Sequence, residues 1–216
     1  MPRRSRPHPR RAEGSLTVAS PAWATGRPTL RGLVVESTEL LRPRTMVQVS
    51  AAGRVGEPSD GDERSILLGW LSFQRDALRA KCVDLDPDQL VTRSTPPSPL
   101  SLLGLVRHLT EMERVYGVWA LGPREQLRWV WGDYTDDGPE WDMDADASMV
   151  EGSMAAWERE KETSDERISG HATLDSVGAG NGRTVRWNVQ KLIGEYARHN
   201  GHADLLRERI DGQTGE

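Results

Sequence analysis

The chain has 216 residues, of which 36% are hydrophobic and 28% charged, with 28 basic against 33 acidic side chains and a formal net charge of −5. That balance fits a cytoplasmic globular protein with one domain of about 150 residues plus appendages. No apolar run reaches the roughly 18 to 20 residues of a bilayer span, so neither membrane insertion nor a secretory leader is expected.

Residues 1–60 hold 10 Arg against 5 acidic groups, whereas residues 61–216 hold 18 basic against 28 acidic groups. The opening stretch "MPRRSRPHPRRAEGS" has too little apolar surface to offset the entropy of ordering. Residues 1–60 are therefore expected to be a disordered extension, or an over-extended reading frame in which Met46 is the true start. An apolar island within it, "LRGLVVESTELL", is expected to form a short strand or helix. The Arg cluster at residues 3–11 raises the alternative of a basic nucleic-acid arm, but the acidic remainder makes a DNA-binding core unfavourable, and no nucleic-acid partner is expected.

From residue 62 the apolar period is helical. In "DERSILLGWLSFQRDALRAKC", Leu67, Trp70, Leu71, Ala77, Leu78 and Cys82 recur at spacings of three, four and seven, which predicts a first helix over about 62–83. Cys82 is the only cysteine, so it has no intramolecular partner, and on this stripe it is expected as a small buried thiol. A short helical turn is predicted around Pro87 to Leu90, followed by an extended crossing through "STPPSPL". Ser101 then caps a second long helix whose inward positions are Leu102, Leu105, Val106, Leu109, Met112, Tyr116 and Trp119, ending at Gly122-Pro123.

Residues 123–146 form a long connection in which Trp129, Trp131, Tyr134 and Trp141 stand among carboxylates. Loops of this length are often functional, although the simpler role for the rings is to cover the open end of a helix bundle. Asp133, Asp136, Asp137, Asp142, Asp144 and Asp146 lack the ligand register, central Gly and terminal Glu of a calcium loop. A third helix is predicted from about Ala147 to Asp165, with Met149, Val150, Met154 and Trp157 inward. "SGHATLDSVGAGNGRTVRW" is a second loop with a short hairpin around Gly178 to Gly182, and its glycines lack the strand-before, helix-after context of a nucleotide cradle.

The fourth helix, about 185–209, carries Glu195, His199 and His202. At 100° and ~1.5 Å per residue, His199 lies about 40° and ~6 Å from Glu195, and His202 about 60° and ~4.5 Å from His199. All three face one way, beside Val189, Leu192, Tyr196, Ala203 and Leu206. Glu195 and His202 are ~10.5 Å apart along the axis, too far to share one ion without distortion, so either the upstream or the downstream pair can serve. His108 faces inward on the second helix, between Leu105 and Met112. A lone inward His is usually a satisfied core residue. Two helices each offering one, with a carboxylate four residues upstream, favour a shared divalent metal that compensates all three groups.

Three stretches, "SLLGLVRHLTEMER", "WGDYTDDGPEWD" and "VRWNVQKLIGEYARHNGHADLLRERIDG", resemble the DinB/YfiT-like superfamily, and within it the actinobacterial branch related to mycothiol-dependent maleylpyruvate isomerase and mycothiol S-transferases. The resemblance covers about residues 62–216. It implies an all-α fold, a four-helix bundle of up-down-down-up connectivity spanning 61–216, with a divalent metal near one end. It further implies metal ligands at His108, Glu195 and His199, which selects the upstream pair, and a role in proton relay or ligand orientation for His202. The His-x-x-Glu-Glu pattern of the branch reads Lys191, Gly194 and Glu195 here, which places a cation one turn from the ligand carboxylate.

The activity implied is that of a metal-dependent thiol transferase or isomerase, in which zinc (or nickel, iron or manganese) activates the thiolate of mycothiol toward a small electrophile. A scarcity of lysine, with only Lys81, Lys161 and Lys191, suits a high-GC actinobacterial source. The alternatives are a metal-dependent hydrolase at the same site and a non-catalytic metal-binding or stress-response bundle. A homodimer through helix faces is left open.

Overall fold

The computed structural model describes residues 55–132 and 143–214. The expectations for residues 1–54, for Asp133, Tyr134, Asp136 and Asp137, and for Trp141 and Asp142 lie outside the described residues.

Among the described residues, five α-helices follow in chain order: α1 (Glu63–Cys82), α2 (Pro87–Leu90), α3 (Leu102–Met112), α4 (Val150–Ser169) and α5 (Val185–Asp211). Their starts are chemically marked. The side chains of Asp62, Asp86, Ser101 and Thr184 each accept a hydrogen bond from a first-turn N–H, of Ser65, Gln89, Gly104 and Trp187 respectively, satisfying donors that the helix itself cannot. Asp86 and Gln89 form a reciprocal capping box with Pro87 in the first turn. Among the described residues, extended backbone pairs only at an isolated bridge between Val177 and Thr184, so the glycine-rich loop closes as a tight turn. No helix of the described residues is long and apolar enough to cross a membrane.

Helix directions follow from contacts across the bundle. At the start of α1 and α5, Arg186 Nε donates to Glu63 at 2.6 Å. Midway, Asn200 donates to the Gln74 carbonyl at 2.9 Å, and at the far end Lys81 pairs with Asp204 at 2.7 Å. The two helices are therefore parallel. By the same logic Arg107 meets Ser153 and Arg114 meets Glu160, making α3 and α4 parallel, while His108 meets His199 and Tyr116 meets Trp187, making α3 and α5 antiparallel. The bundle is up-down-down-up. Two helices that follow each other in sequence and run parallel need a long connection between them.

Leu71, Leu78, Leu102, Leu105, Leu109, Trp157, Ile168, Leu192 and Tyr196 fill the centre, each contributing about 1.5–3 kcal/mol through removal of apolar surface from water. Met149, expected inward, is 37% exposed. The chain there is a 3₁₀ turn, Ala147–Met149, which precedes α4 and has a tighter rotation per residue, so Met149 falls off the stripe that Trp157 continues.

The second long helix also departs from a regular α period. After Met112 it continues as a π-helix, Glu113–Trp119, whose wider turn admits one more residue per bond. Two packing demands coincide with this change. Glu113 is wholly buried, accepting both nitrogens of a bidentate Arg75 at 2.7 and 2.8 Å and the Tyr196 hydroxyl at 2.8 Å. Gly117 lies against Ser164, and a Cβ there would stand 1.8 Å from the Ser164 Oγ. Trp157 Nε1 completes the network by donating to Tyr196 Oη at 2.7 Å. Burial, and then the Glu113 carboxylate, push the Tyr196 hydroxyl well above its ordinary range, so it stays a donor.

Candidate metal centre

Two helices supply the candidate ligands. His108 lies on α3 where Leu105 and Leu109 are fully buried, and its ring projects to α5. Glu195 and His199 are one turn apart on α5, beside fully buried Leu192 and Tyr196. His108, Glu195 and His199 each bring one ligating atom within 4.8 Å of the others. The His108 and His199 ring centroids are 4.6 Å apart. Glu195 and His199 are each 8% exposed.

His199 uses its two ring nitrogens on two sides. Nε2 faces Glu195 Oε2 at 3.7 Å, and Nδ1 meets Nδ1 of His202 at 3.3 Å. Burial, with the neighbouring His108 and His202 rings, lowers the His199 pKa to about 4 despite the Glu195 carboxylate. At neutral pH the ring is thus unprotonated and its lone pair free to bind a cation. For Glu195, burial acts upward, but the Lys191 ammonium, hydrogen-bonded to Oε1, carries the carboxyl below its ordinary range. Two imidazoles, one of them held neutral, and an ionised carboxylate are a donor set that suits zinc, nickel, iron or manganese. The residues fit a divalent cation, since Lys191 holds Glu195 Oε1 and Oε2 is the oxygen turned toward His199.

Other residues singled out in the sequence fall elsewhere. Cys82 is in the core, where burial pushes its thiol up to about 12, a direction that the Arg207 charge opposes. Trp131 lies along the middle of α3: its Nε1 donates to the Arg107 carbonyl at 3.0 Å, and the Arg107 guanidinium stacks 4.1 Å from its ring centre. Asp146 caps the 3₁₀ turn, and Asp144 pairs with Arg93 at 3.0 Å.

Two supporting groups were missed in the sequence. Glu111, fully buried one turn after His108, accepts the backbone N–H groups of Val130 and Trp131 and so ties the long connection down beside the site. Glu113 and Arg75 form the buried pair described above. A signal was present for the latter, since Glu113 follows Leu109 by four and Val106 by seven, and Arg75 follows Leu71 by four and precedes Leu78 by three. Charged residues on apolar stripes at matching depth point to one another.

Against known proteins, a family model described as mycothiol-S-transferase matches residues 66–212. No curated protein and no solved structure matches the chain.

Proposed function

We propose that this chain, which belongs to the mycothiol-S-transferase family, activates a low-molecular-weight thiol, mycothiol, and transfers it to a small electrophile, using a divalent cation held by His108, Glu195 and His199. The observation that carries the reading is the convergence of those three side chains from two helices, Glu195 and His199 buried and His108 half-buried. A cation bound there supplies a Lewis acid that brings thiol deprotonation to neutral pH. The protein's part is to hold three ligands on one side and leave the rest of the coordination sphere open.

His202 acts on His199 in this reading. If His199 offers Nε2 to the cation, its Nδ1 carries the proton and donates to His202 Nδ1, which in turn must be the unprotonated nitrogen of a neutral ring. His202 Nε2 then carries hydrogen and serves as a donor toward the electrophile. The sulfur–carbon bond forms while the electrophile's leaving group departs or its unsaturation takes up the thiol proton. Glu111, one turn after His108, holds the backbone of Val130 and Trp131, so the chain there is tied down next to the helix that carries His108.

The reading is tested by metal analysis of protein purified without a His tag, alongside conjugation of mycothiol to a fluorogenic alkylating agent. About one divalent ion per chain and a thiol-dependent rate abolished by chelator are expected. Removing any one of His108, Glu195 or His199 should lower stoichiometry. Hydrolysis of an ester or amide with no thiol-dependent rate refutes the transferase and leaves the metal hydrolase.

A further inference from the structure

On α5 the positions 187, 191, 194, 195 and 198 follow one another at helical spacing and form a ridge beside Glu195. Gly194 interrupts the ridge, and nothing lies within 4 Å of where a Cβ would stand. The gap is an open pocket of about 300 Å³ lined by Trp187, Gln190, Lys191, Gly194, Glu195 and Arg198. Its chemistry is one-sided. Trp187, 42% exposed, supplies an aromatic wall and is held edge-on against Tyr116 at 6.0 Å. Lys191 and Arg198 supply two cations, and Gln190 a further donor. Arg198 acts electrostatically on both Glu195 and His199. The single acidic lining group is Glu195, to which the Lys191 ammonium is bound.

Lys191 holds Glu195 Oε1, while Oε2 faces His199. A cation on Oε2 draws charge from the carboxylate and weakens its hold on the Lys191 ammonium, which lies 5.6 Å from the Tyr116 ring centre and is then freer to meet an anion in the pocket. The geometry points to a carboxylate-binding subsite: the pocket takes the anionic group of a planar electrophile between Lys191 and Arg198, with its apolar part against Trp187. This rests on the reading of Glu195 as a metal ligand, and it adds a consequence. Lys191 exchanges Glu195 for the substrate's anion, so cation binding and anion binding strengthen each other by the same factor, as linkage requires.

The experiment uses benzoate, with uncharged benzamide as control, titrated calorimetrically into the full-length protein, both metal-free and zinc-loaded. Loss of a charge-assisted contact in a partly open pocket should weaken benzoate by about tenfold for each cation removed. The zinc-loaded parent is expected to bind benzoate more tightly than the metal-free parent. Lys191→Gln and Arg198→Gln should lose that advantage, and benzamide should not distinguish the forms. Metal-free Glu195→Gln, which frees Lys191 with no ion present, should bind benzoate about tenfold more tightly than the metal-free parent.

Benzoate binding to the zinc protein that is unchanged by both substitutions would place the anion on the ion and overturn the subsite. Unchanged affinity in metal-free Glu195→Gln would overturn the exchange of Lys191. Should zinc fail to bind while Glu195→Gln and Lys191→Gln still move benzoate in opposite directions, the metal reading falls and the anion subsite stands.

Discussion

Replacing Glu113 by Gln tests whether the buried Arg75–Glu113–Tyr196 network holds α1, the π-helix and α5 together. Gln keeps the shape and one acceptor oxygen, so the Tyr196 hydroxyl and one Arg75 nitrogen remain bonded. Its NH₂ faces the other Arg75 nitrogen, donor against donor, where a 2.7–2.8 Å bond now exists. Arg75 is 7% exposed and keeps only Asp165, at 2.7 Å, as a counter-charge. Breaking a buried pair by removing one partner costs about 3–5 kcal/mol, and the surviving Asp165 contact places the expectation at about 3 kcal/mol. For a domain of this size that is a fall in Tm of about 6–12 °C. Asp165→Asn addresses the same guanidinium from a side chain that is 57% exposed, and should cost less than about 1 kcal/mol. Urea unfolding of both variants, with unchanged slope, measures the two costs. Equal losses, or a Glu113→Gln variant within about 1 kcal/mol of the parent, would refute the claim that burial makes this pair decisive.

His202→Gln should retain the ion and change metal affinity or thiol-transfer rate by about 10- to 100-fold, because it removes the partner of His199 Nδ1 and not a ligand; loss of the ion in this variant, read by metal analysis, would make His202 a ligand. Burial raises the Glu160 carboxyl above its ordinary 4.5, against the pull of Arg114. The folded protein then keeps this proton to higher pH than the unfolded chain, so the group's contribution to stability falls as pH rises through the window above 4.5. Glu160→Gln, which cannot ionise, should accordingly gain on the parent between about pH 4 and about pH 7 in urea unfolding, and a difference that is flat or narrows contradicts the sign. Native protein should leave Cys82 unmodified by a maleimide that labels it fully in urea, since both its burial and its raised pKa withhold the thiolate; rapid native labelling would show that the core opens there.

Much of the bundle was legible from local rules, because an amphipathic period and a capping side chain act within a few residues. Asp62, Asp86, Ser101 and Thr184 mark helix starts in any context where an N–H lacks a partner, and the stripes Leu71–Leu78 and Leu192–Tyr196 choose the buried face before any neighbour is known. Helix geometry likewise sets Glu195 and His199 on one side of α5. Which pair served, and with which partner, was not in that geometry; it came from the family resemblance, and the approach of His108 is made by two helices far apart in sequence.

What tertiary structure alone decided involves contacts between segments whose separation no periodicity encodes. The π-helix exists where Glu113 reaches Arg75 and Gly117 meets Ser164, and an uninterrupted α period through Trp119 would have been the local preference. Glu111, which a helical wheel would leave as a polar residue, is buried because the backbone of Val130 and Trp131 folds onto it. Lys191 shows both levels at once: four-residue spacing brings it to Glu195, but only the surrounding Tyr116 and Trp187, and the gap at Gly194, turn that ion pair into the wall of a pocket. Sequence determines the faces, since they depend on neighbours along the chain, and packing determines which charged groups on those faces meet, since that depends on every other helix.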